Sequence, residues 1–217
     1  MTIDTIIMLL KKRYSPGKFN SKDPFRALIS TVLSQRTRDE VTEKTSERLF
    51  GKYSTAEALS QADVKEIEKL IRDAGFYRTK APRIKEIAMI ISNDFKGKVP
   101  DNIEALLSLP GVGRKTANCV LVYGFGKDAI PVDTHVHRIS NRLGLVSTKT
   151  PEETEMKLRE VLPKKYWKHI NELLVRFGQG ICRPVGPRCS ECPIARLCQH
   201  NNKIQMRRFD RITGSTG

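Results

Sequence analysis

The sequence lacks several features that define large classes of protein. No apolar run approaches the ~20 residues that a helix needs to cross a bilayer. The first residues, MTIDTIIMLLKKRY, place an acid before their apolar part and bases after it, an order that does not suit a secretory signal. No tandem repeat, low-complexity linker or convincing period-two alternation is present. These absences predict a globular, non-membrane protein without β-strands.

Acidic residues are scarce relative to basic ones. The 217 residues include 39 Lys and Arg against 24 Asp and Glu, which gives a net charge of +15 at pH 7. The bases are spread fairly evenly, as on a folded surface that faces a polyanion. A solvated, lysine-rich surface explains the charge equally well. The charge therefore suggests nucleic acid as a partner without deciding it.

Helical periodicity dominates the rest of the pattern and predicts an all-α fold of about ten short helices. Gly75 and Gly97 are placed to end helices through left-handed caps. Pro151 falls at a first helical position, where its missing N–H costs nothing. Three polar pairs resemble capping boxes at helix starts: Asp63 with Glu66, Asp101 with Glu104, and Thr150 with Glu153.

Four of the five cysteines lie in one aperiodic loop near the C-terminal end. They are Cys182, Cys189, Cys192 and Cys198, in the pattern C-x6-C-x2-C-x5-C. Without a secretory signal, a shared metal group is a better explanation than disulfides. Structural zinc usually takes two close pairs, whereas one close pair with a flanking cysteine on each side better suits an iron–sulfur cluster. The spacing favours the cluster and leaves zinc open.

The segment LPGVGRKT, residues 109–116, resembles a phosphate-binding loop but fails its template, because Arg114 stands where glycine must precede the lysine. What remains is a helix–hairpin–helix, whose glycines allow backbone N–H groups to approach a phosphate closely. An ordinary tight turn between helices is the alternative. Lys115 falls in the first turn of the second helix, where the helix dipole and Arg114 favour a neutral, nucleophilic amine. A phosphate contact is the simpler role for such a lysine, and an N-cap is the simpler role for Asp133.

Three motifs in order, LPGVGRKTAN, VDTHVHR and the cysteine pattern, resemble the endonuclease III family of DNA glycosylases. The resemblance extends from about residue 17 to residue 200. It implies a six-helix barrel domain over residues 17–127 and an iron–sulfur cluster domain formed by residues 1–16 and 128–217, with DNA in the cleft between them. It also implies a [4Fe–4S] cluster on the four cysteines, damaged double-stranded DNA as partner, and a monomer in a prokaryotic cytoplasm, associated with the nucleoid.

The resemblance assigns roles residue by residue. Lys115 matches the family's nucleophile and Asp133 its catalytic aspartate. Phe76, in AGFYRTKA, takes the place of the apolar wedge. LSQRT departs from the family's LS-x-Q pattern, since Gln35 comes one position early or Arg36 replaces the glutamine. The remaining expected DNA contacts are Leu109, Pro110, Gly111, Val112, Gly113, Arg114, Arg183 and Arg188, although the last two also suit plain solvated charge.

The implied reaction is removal of oxidised pyrimidines of the thymine glycol type by base flipping, Schiff-base formation on Lys115 and β-elimination on the 3′ side. Thymine-mismatch and adenine glycosylases fit less well, because they lack a lysine at the nucleophile position. 8-Oxoguanine stays open as a substrate, since relatives with the same Lys and Asp remove it. A non-catalytic DNA-binding module or a cluster-based redox sensor needs neither Lys115 nor Asp133.

Overall fold

The computed structural model describes residues 3–14, 23–202 and 204, and within these residues no β-strand occurs. The first six helices are α1 (Ile3–Arg13), α2 (Pro24–Ser34), α3 (Asp39–Lys52), α4 (Ala56–Ser60), α5 (Val64–Leu70) and α6 (Tyr77–Asn93). They are followed by α7 (Ile103–Leu107), α8 (Arg114–Cys119), α9 (Thr134–Leu143), α10 (Pro151–Val161) and α11 (Trp167–Gly180). The predicted all-α class is confirmed. None of the described helices combines the length and apolarity that crossing a bilayer requires.

Contacts divide the chain into two compact units. The first unit ends at Pro131, and the second unit joins α1 to the chain from Val132 onward. The unit that ends at Pro131 has one apolar cluster, to which α2 to α6 and α8 contribute fully buried side chains such as Leu28 and Ile84. The predicted domain boundary at residues 16 and 17 lies outside the described residues.

The second unit is built around α9 and α11. Ile139 of α9 and Leu174 and Phe177 of α11 are almost fully buried, and so are the inward residues of α1. The ring of Tyr14, just after α1, meets the ring of Phe177 edge-on at 5.8 Å between centroids. Aromatic edge contacts of this kind add to the area that the rings bury. This packing fixes the end of α11, from which the cysteine loop departs.

Local capping signals position several helix starts as the sequence predicts. The side chain of Asp63 accepts from the backbone N–H of Lys65 and Glu66, and Thr150 accepts from that of Glu153. The predicted cap at Asp101 is wrong. Asn102 caps α7 instead, and the carboxylate of Asp101 pairs with the Lys127 ammonium at 2.6 Å. A distant charge therefore recruits the acid, and the neighbouring amide takes the cap.

The two predicted glycine caps have different outcomes. Gly97 has φ +76° and closes the turn after α6, as predicted. The prediction for Gly75 is wrong, because the left-handed residue is Phe76, with φ +59°, directly before α6. A Cβ on Gly75 would overlap the carbonyl oxygen of Arg36. Glycine is needed there for close approach of two backbone segments and not for its own dihedral angles.

A π-helical turn, Val120–Gly124, continues α8, where the sequence predicts an uninterrupted helix. The backbone N–H of Phe125 donates to the carbonyl of Val120 at 3.3 Å, which is the i to i+5 spacing of a π turn. A Cβ on Gly124 would come within 2.8 Å of the Cα of Pro24. The wide turn thus places Gly124 against the start of α2.

Candidate nucleic-acid interface and cysteine loop

The segment between α7 and α8 forms the predicted helix–hairpin–helix turn. The side chains of Leu109 and Val112 are 2% and 5% exposed, so they anchor the turn in the core. Pro110 is half-buried, and Gly111 and Gly113 are exposed. The backbone N–H of Val112 donates to the Leu109 carbonyl at 3.1 Å, which closes the turn. What this turn offers to solvent is therefore backbone at its glycines and not the apolar side chains.

Gly111 is the position of this turn that requires glycine. Its φ is +72°, and a Cβ there would come within 2.5 Å of the Arg83 side chain. Its carbonyl accepts a hydrogen bond from Nε2 of Gln35 at 3.2 Å, and the same nitrogen lies 3.4 Å from the hydroxyl of Thr116. The Gln35 amide, which the sequence places among the DNA contacts, is thus bound to the hairpin in this structure.

Lys115 lies in the first turn of α8, as predicted, and its side chain is half-buried. Arg114, the first residue of α8, is half-buried as well. The helix follows directly from Gly113, whose φ of −90° and ψ of 176° are extended. No described atom lies within 4 Å of the place where a Cβ on Gly113 would stand. The backbone is therefore open to a ligand at the entrance to the helix that carries Lys115.

Asp133 belongs to the other unit, where it is the N-cap of α9. Its Oδ1 accepts from the backbone N–H of His135 at 2.9 Å and of Val136 at 2.8 Å. These bonds fix the carboxylate at the positive end of α9, where a negative charge is favoured. The side chain of Asp133 is half-buried. The cap predicted from the sequence is confirmed, and any catalytic role comes in addition to it.

Burial lowers the pKa of His135, against the opposing effect of Asp133. The neutral ring suits its surroundings, because Nη2 of Arg138 lies 3.1 Å from Nδ1 of His135, which can then accept. His137 is held through Nδ1 by the hydroxyl of Thr154 at 2.6 Å. Both histidines therefore have structural partners, in keeping with their prediction as structural or DNA-adjacent residues rather than metal ligands.

Two turns of the first unit carry the residues expected to enter the base stack. Arg36 and Phe76 both have positive φ, +53° and +59°. The ring of Phe76 is 61% exposed, and the Arg36 guanidinium lies 5.4 Å from its centroid. A third residue, Lys80, is buried, donates to the carbonyl of Gln35 next to Arg36, and was missed by sequence reasoning. A single lysine in an otherwise basic chain gives no local signal of burial.

The cysteine loop gathers four thiols around one cavity. Cys182, Cys189, Cys192 and Cys198 are all half-buried and line it together. Apolar side chains complete the wall, among them Leu143, Phe177, Ile181 and Ile194. The loop contains two short 3-10 turns, Cys189–Glu191 and Ala195–Leu197.

Two arginines of α9 hold this loop and were also missed by sequence reasoning. Arg142 donates to the carbonyls of Arg183 at 2.7 Å and Pro184 at 2.8 Å, and its Nη1 lies 3.5 Å from the sulfur of Cys182. Arg138 donates to the carbonyl of Cys182 at 2.8 Å. Their i, i+4 spacing places both on one face of α9, and that spacing is the signal that could have found them.

The thiols suit a metal cluster in their chemistry. Burial raises the pKa of the Cys192 thiol to about 11, so a bound cation is needed to hold it as thiolate. The guanidinium of Arg142 beside Cys182 adds positive charge where thiolates would collect. Among the residues that the structure describes, no three His, Cys, Asp or Glu side chains are grouped as ligands of a single metal ion. The four thiols nevertheless share one cavity, and the donor set fits a sulfur-ligated group.

Arg183 and Arg188, the expected phosphate contacts of this loop, are exposed. Nε of Arg183 donates to the Gly180 carbonyl at 3.2 Å, and Nη1 of Arg188 lies 3.9 Å from the Glu191 carboxylate. Both cations remain accessible to a ligand.

Comparisons with known proteins find a matching family model and a similar protein. A family model described as HhH-GPD superfamily base excision DNA repair protein matches residues 29–164. Endonuclease III of Thermotoga maritima is 53% identical over 197 residues, which are 91% of this chain and 92% of that protein.

Two solved structures of endonuclease III with DNA have the same fold. A trapped covalent intermediate superposes with a TM-score of 0.83 at 35% identity, covering 94% of this chain and 99% of the other. A non-covalent complex gives a TM-score of 0.84 at 35% identity, covering 95% and 99%.

Proposed function

The chain belongs to the endonuclease III family of base excision repair proteins, as a DNA glycosylase and AP lyase, and on that premise we propose that it removes oxidised pyrimidines of the thymine glycol type from duplex DNA. The observation that carries the proposal is the hairpin Leu109–Gly113, which opens directly into the helix with Lys115 in its first turn. The backbone at Gly111 and Gly113 grips a DNA phosphate beside the lesion, as helix N-termini and glycine turns commonly do.

Lys115 is the nucleophile in this proposal. The damaged nucleotide is flipped out of the stack, since its base cannot be attacked within the duplex. The Lys115 amine attacks the anomeric carbon of the sugar, the glycosidic bond breaks, and the base departs with the bonding electrons and takes up a proton. The amine then loses a proton, the bond between the anomeric carbon and the ring oxygen breaks, and that oxygen takes up a proton, which leaves a Schiff base between Lys115 and the opened sugar. Loss of the neighbouring C–H proton then expels the 3′ phosphate by β-elimination.

Asp133 supports this chemistry from its fixed position at the start of α9. Its carboxylate stabilises the positive charge that develops on the sugar as the base leaves, and assists transfer of the proton released by Lys115. The two backbone bonds to Oδ1 hold the group in place. In this proposal Lys115, which attacks, belongs to the domain of residues 17–127. Asp133, which stabilises the charge, belongs to the domain formed by residues 1–16 and 128–217.

Cys182, Cys189, Cys192 and Cys198 hold a [4Fe–4S] cluster in this proposal. Their shared cavity and the neighbouring Arg142 support it. When bound, the cluster supplies a covalent cross-link for the loop and presents Arg183 and Arg188 to the DNA backbone. The partner is damaged double-stranded DNA, and the protein acts as a monomer in a prokaryotic cytoplasm, at the nucleoid.

Borohydride trapping tests the nucleophile and the substrate class together. The native protein is incubated with a duplex carrying one thymine glycol, and we expect a covalent protein–DNA adduct that is lost in Lys115→Ala. Lys65→Ala is the matched control, because that side chain is 80% exposed on α5 and lies outside the hairpin. It removes the same charge and should leave the adduct intact.

Parallel duplexes decide among the alternatives. An adduct with 8-oxoguanine DNA but not with thymine glycol DNA would reassign the substrate and keep the mechanism. If the native protein forms no adduct on thymine glycol or on a preformed abasic site, Lys115 is not a nucleophile and the lyase mechanism fails.

A further inference from the structure

Two turns of the first unit hold unfavourable backbone conformations side by side. Among the described residues, the non-glycine positions with positive φ are Arg36, Phe76 and Lys96. Each such position is energetically unfavourable and persists only where its surroundings impose it. Arg36 and Phe76 are also the pair whose side chains stack, with 5.4 Å between guanidinium and ring centroid. Contacts with other residues must therefore maintain the backbone conformations of both turns.

Lys80 provides such contacts. It lies in the first turn of α6 and is only 3% exposed. Its Nζ donates to the carbonyls of Leu33 and Gln35, each at 2.6 Å, and to the hydroxyl of Thr37 at 2.8 Å. An ammonium has three N–H donors, and all three are matched by these acceptors. Burial lowers the pKa of Lys80 to about 8, while the three acceptors favour the protonated form.

The hydroxyl of Thr37 extends this link to the second turn. It accepts the backbone N–H of Gly75 at 3.1 Å as well as the Lys80 ammonium. Gly75 itself stands so close to the Arg36 carbonyl that a Cβ would overlap it. The turn before α3 and the turn before α6 are therefore joined twice, by backbone approach at Gly75 and by the polar contacts of Lys80 and Thr37.

We propose that Lys80 is a positioning residue, whose buried ammonium fastens the turn of Gln35–Thr37 to the turn of Gly75–Phe76 and so presents Arg36 and Phe76 as one preassembled wedge. This inference rests on the proposed function, because a wedge is needed only by a protein that flips a base out of the duplex. The exposed ring of Phe76 enters the stack, and the Arg36 guanidinium above it fills the space left by the departing base.

Preassembly determines which step depends on Lys80. Ordering two strained turns at the moment of binding would subtract from the binding free energy, whereas a fastened wedge has been ordered during folding. Extruding an intact damaged base requires unpairing and unstacking, and an abasic site requires far less. Loss of Lys80 should therefore impair excision of thymine glycol and spare cleavage of a preformed abasic site.

The first test compares Lys80→Met with Lys65→Met in the full protein. Both remove one positive charge, but Lys65 has an 80% exposed side chain and pairs with Glu68 at 3.5 Å. We expect Lys80→Met to lower single-turnover excision of thymine glycol by about tenfold or more, with abasic-site cleavage reduced far less. A 2-aminopurine opposite the lesion should lose its fluorescence rise in Lys80→Met and keep it in Lys65→Met, since that rise reports unstacking directly.

A second pair of variants keeps the lysine and covers the case in which Lys80→Met fails to fold. Thr37→Val removes the shared hydroxyl with little change in shape, and Thr37→Ser keeps it. We expect Thr37→Val to reproduce the selective loss of excision and fluorescence, and Thr37→Ser to restore both.

The proposal is overturned if excision and abasic-site cleavage fall together in Thr37→Val, or if 2-aminopurine responds normally while excision is lost. The first result would give Lys80 and Thr37 a general role in stability, and the second would place their effect at a step after base flipping. Failure of the proposed function looks different, because the native protein would then show neither excision of thymine glycol nor cleavage of an abasic site.

Discussion

Two regions of the molecule are each held by a cationic side chain: the turns around Arg36 and Phe76, and the loop of the four cysteines. In both, a cationic side chain donates to two backbone carbonyls: Lys80 to Leu33 and Gln35, and Arg142 to Arg183 and Pro184. In the first region the cation is buried and all its donors are matched. In the second, four half-buried thiols also face a shared cavity.

The difference predicts which region depends on protein atoms alone for its structure. The wedge turns are joined by the polar contacts of Lys80 and Thr37 and by the close approach of the backbone at Gly75. The cysteine loop has arginine contacts on its backbone, but its thiols lack a cross-link without the proposed cluster. We therefore expect the two regions to respond separately to metal loss, backbone crowding and acid.

Metal loss should have the largest effect. Cys192→Ser removes one ligand of the proposed cluster, and we expect loss of bound iron and a Tm lower by about 10 °C, because metal binding of this kind contributes directly to folding. Cys119→Ser is the control, since that thiol is buried outside the loop and should leave the iron in place. Iron and zinc analysis after anaerobic purification, with thermal melts, measures both; stoichiometric zinc without iron in the native protein would contradict the cluster.

Crowding of the wedge turns should have an intermediate effect. Gly75→Ala places a Cβ against the Arg36 carbonyl, and we expect it to lower the free energy of unfolding by about 1–3 kcal/mol. Gly51→Ala is the matched control, because nothing described lies within 4 Å of its Cβ position in α3 and alanine favours a helix. Denaturant unfolding should show opposite signs for the two variants, with the iron content of both unchanged. A stable Gly75→Ala protein with normal excision would contradict tight joining of the turns.

Acid should have the smallest effect, and only on the unit of the cysteine loop. Because burial holds the pKa of His135 below its value of about 6.5 in the unfolded chain, the folded protein binds fewer protons in this range. The free energy of unfolding should therefore fall as pH decreases below about 6.5, through loss of the Arg138 contact. We expect a Tm decrease of a few degrees between about pH 7.5 and 5.5, smaller in His135→Gln. Equal decreases in both proteins would remove His135 as the cause.

Sequence patterns predict well those features that depend on neighbours in the chain. The helix starts at Asp63 and Thr150 and the N-cap at Asp133 each follow from one side chain and the next few backbone N–H groups. The hairpin and the place of Lys115 at the start of α8 also follow from local spacing. A capping side chain reaches backbone donors two or three residues away, so a cap can be predicted from a few neighbouring residues.

Features that depend on groups distant in the chain could not be predicted from the sequence. The cap at Asp101 fails because Lys127 draws that carboxylate away. Gly75 is required by the Arg36 carbonyl, which lies 39 positions earlier in the chain and leaves no mark on nearby residues. The burial of Lys80 depends on three acceptors that only the packed fold brings together. The roles of the candidate site residues stay predictions until the proposed experiments are done.

The π turn at Val120–Gly124 has a consequence for how this chain tolerates insertions and deletions. Such a turn contains one residue more than an α-helical turn along the same path would use, so removing a residue there would narrow the turn and shift the backbone around Gly124. The close approach of Gly124 to Pro24 would then be lost. Conversely, the wide turn lets α8 change phase without a break, so that the residues on either side of Val120 are all buried. This segment lies between the hairpin and the start of the second unit. Single-residue deletions should therefore be tolerated less well here than in the exposed turns.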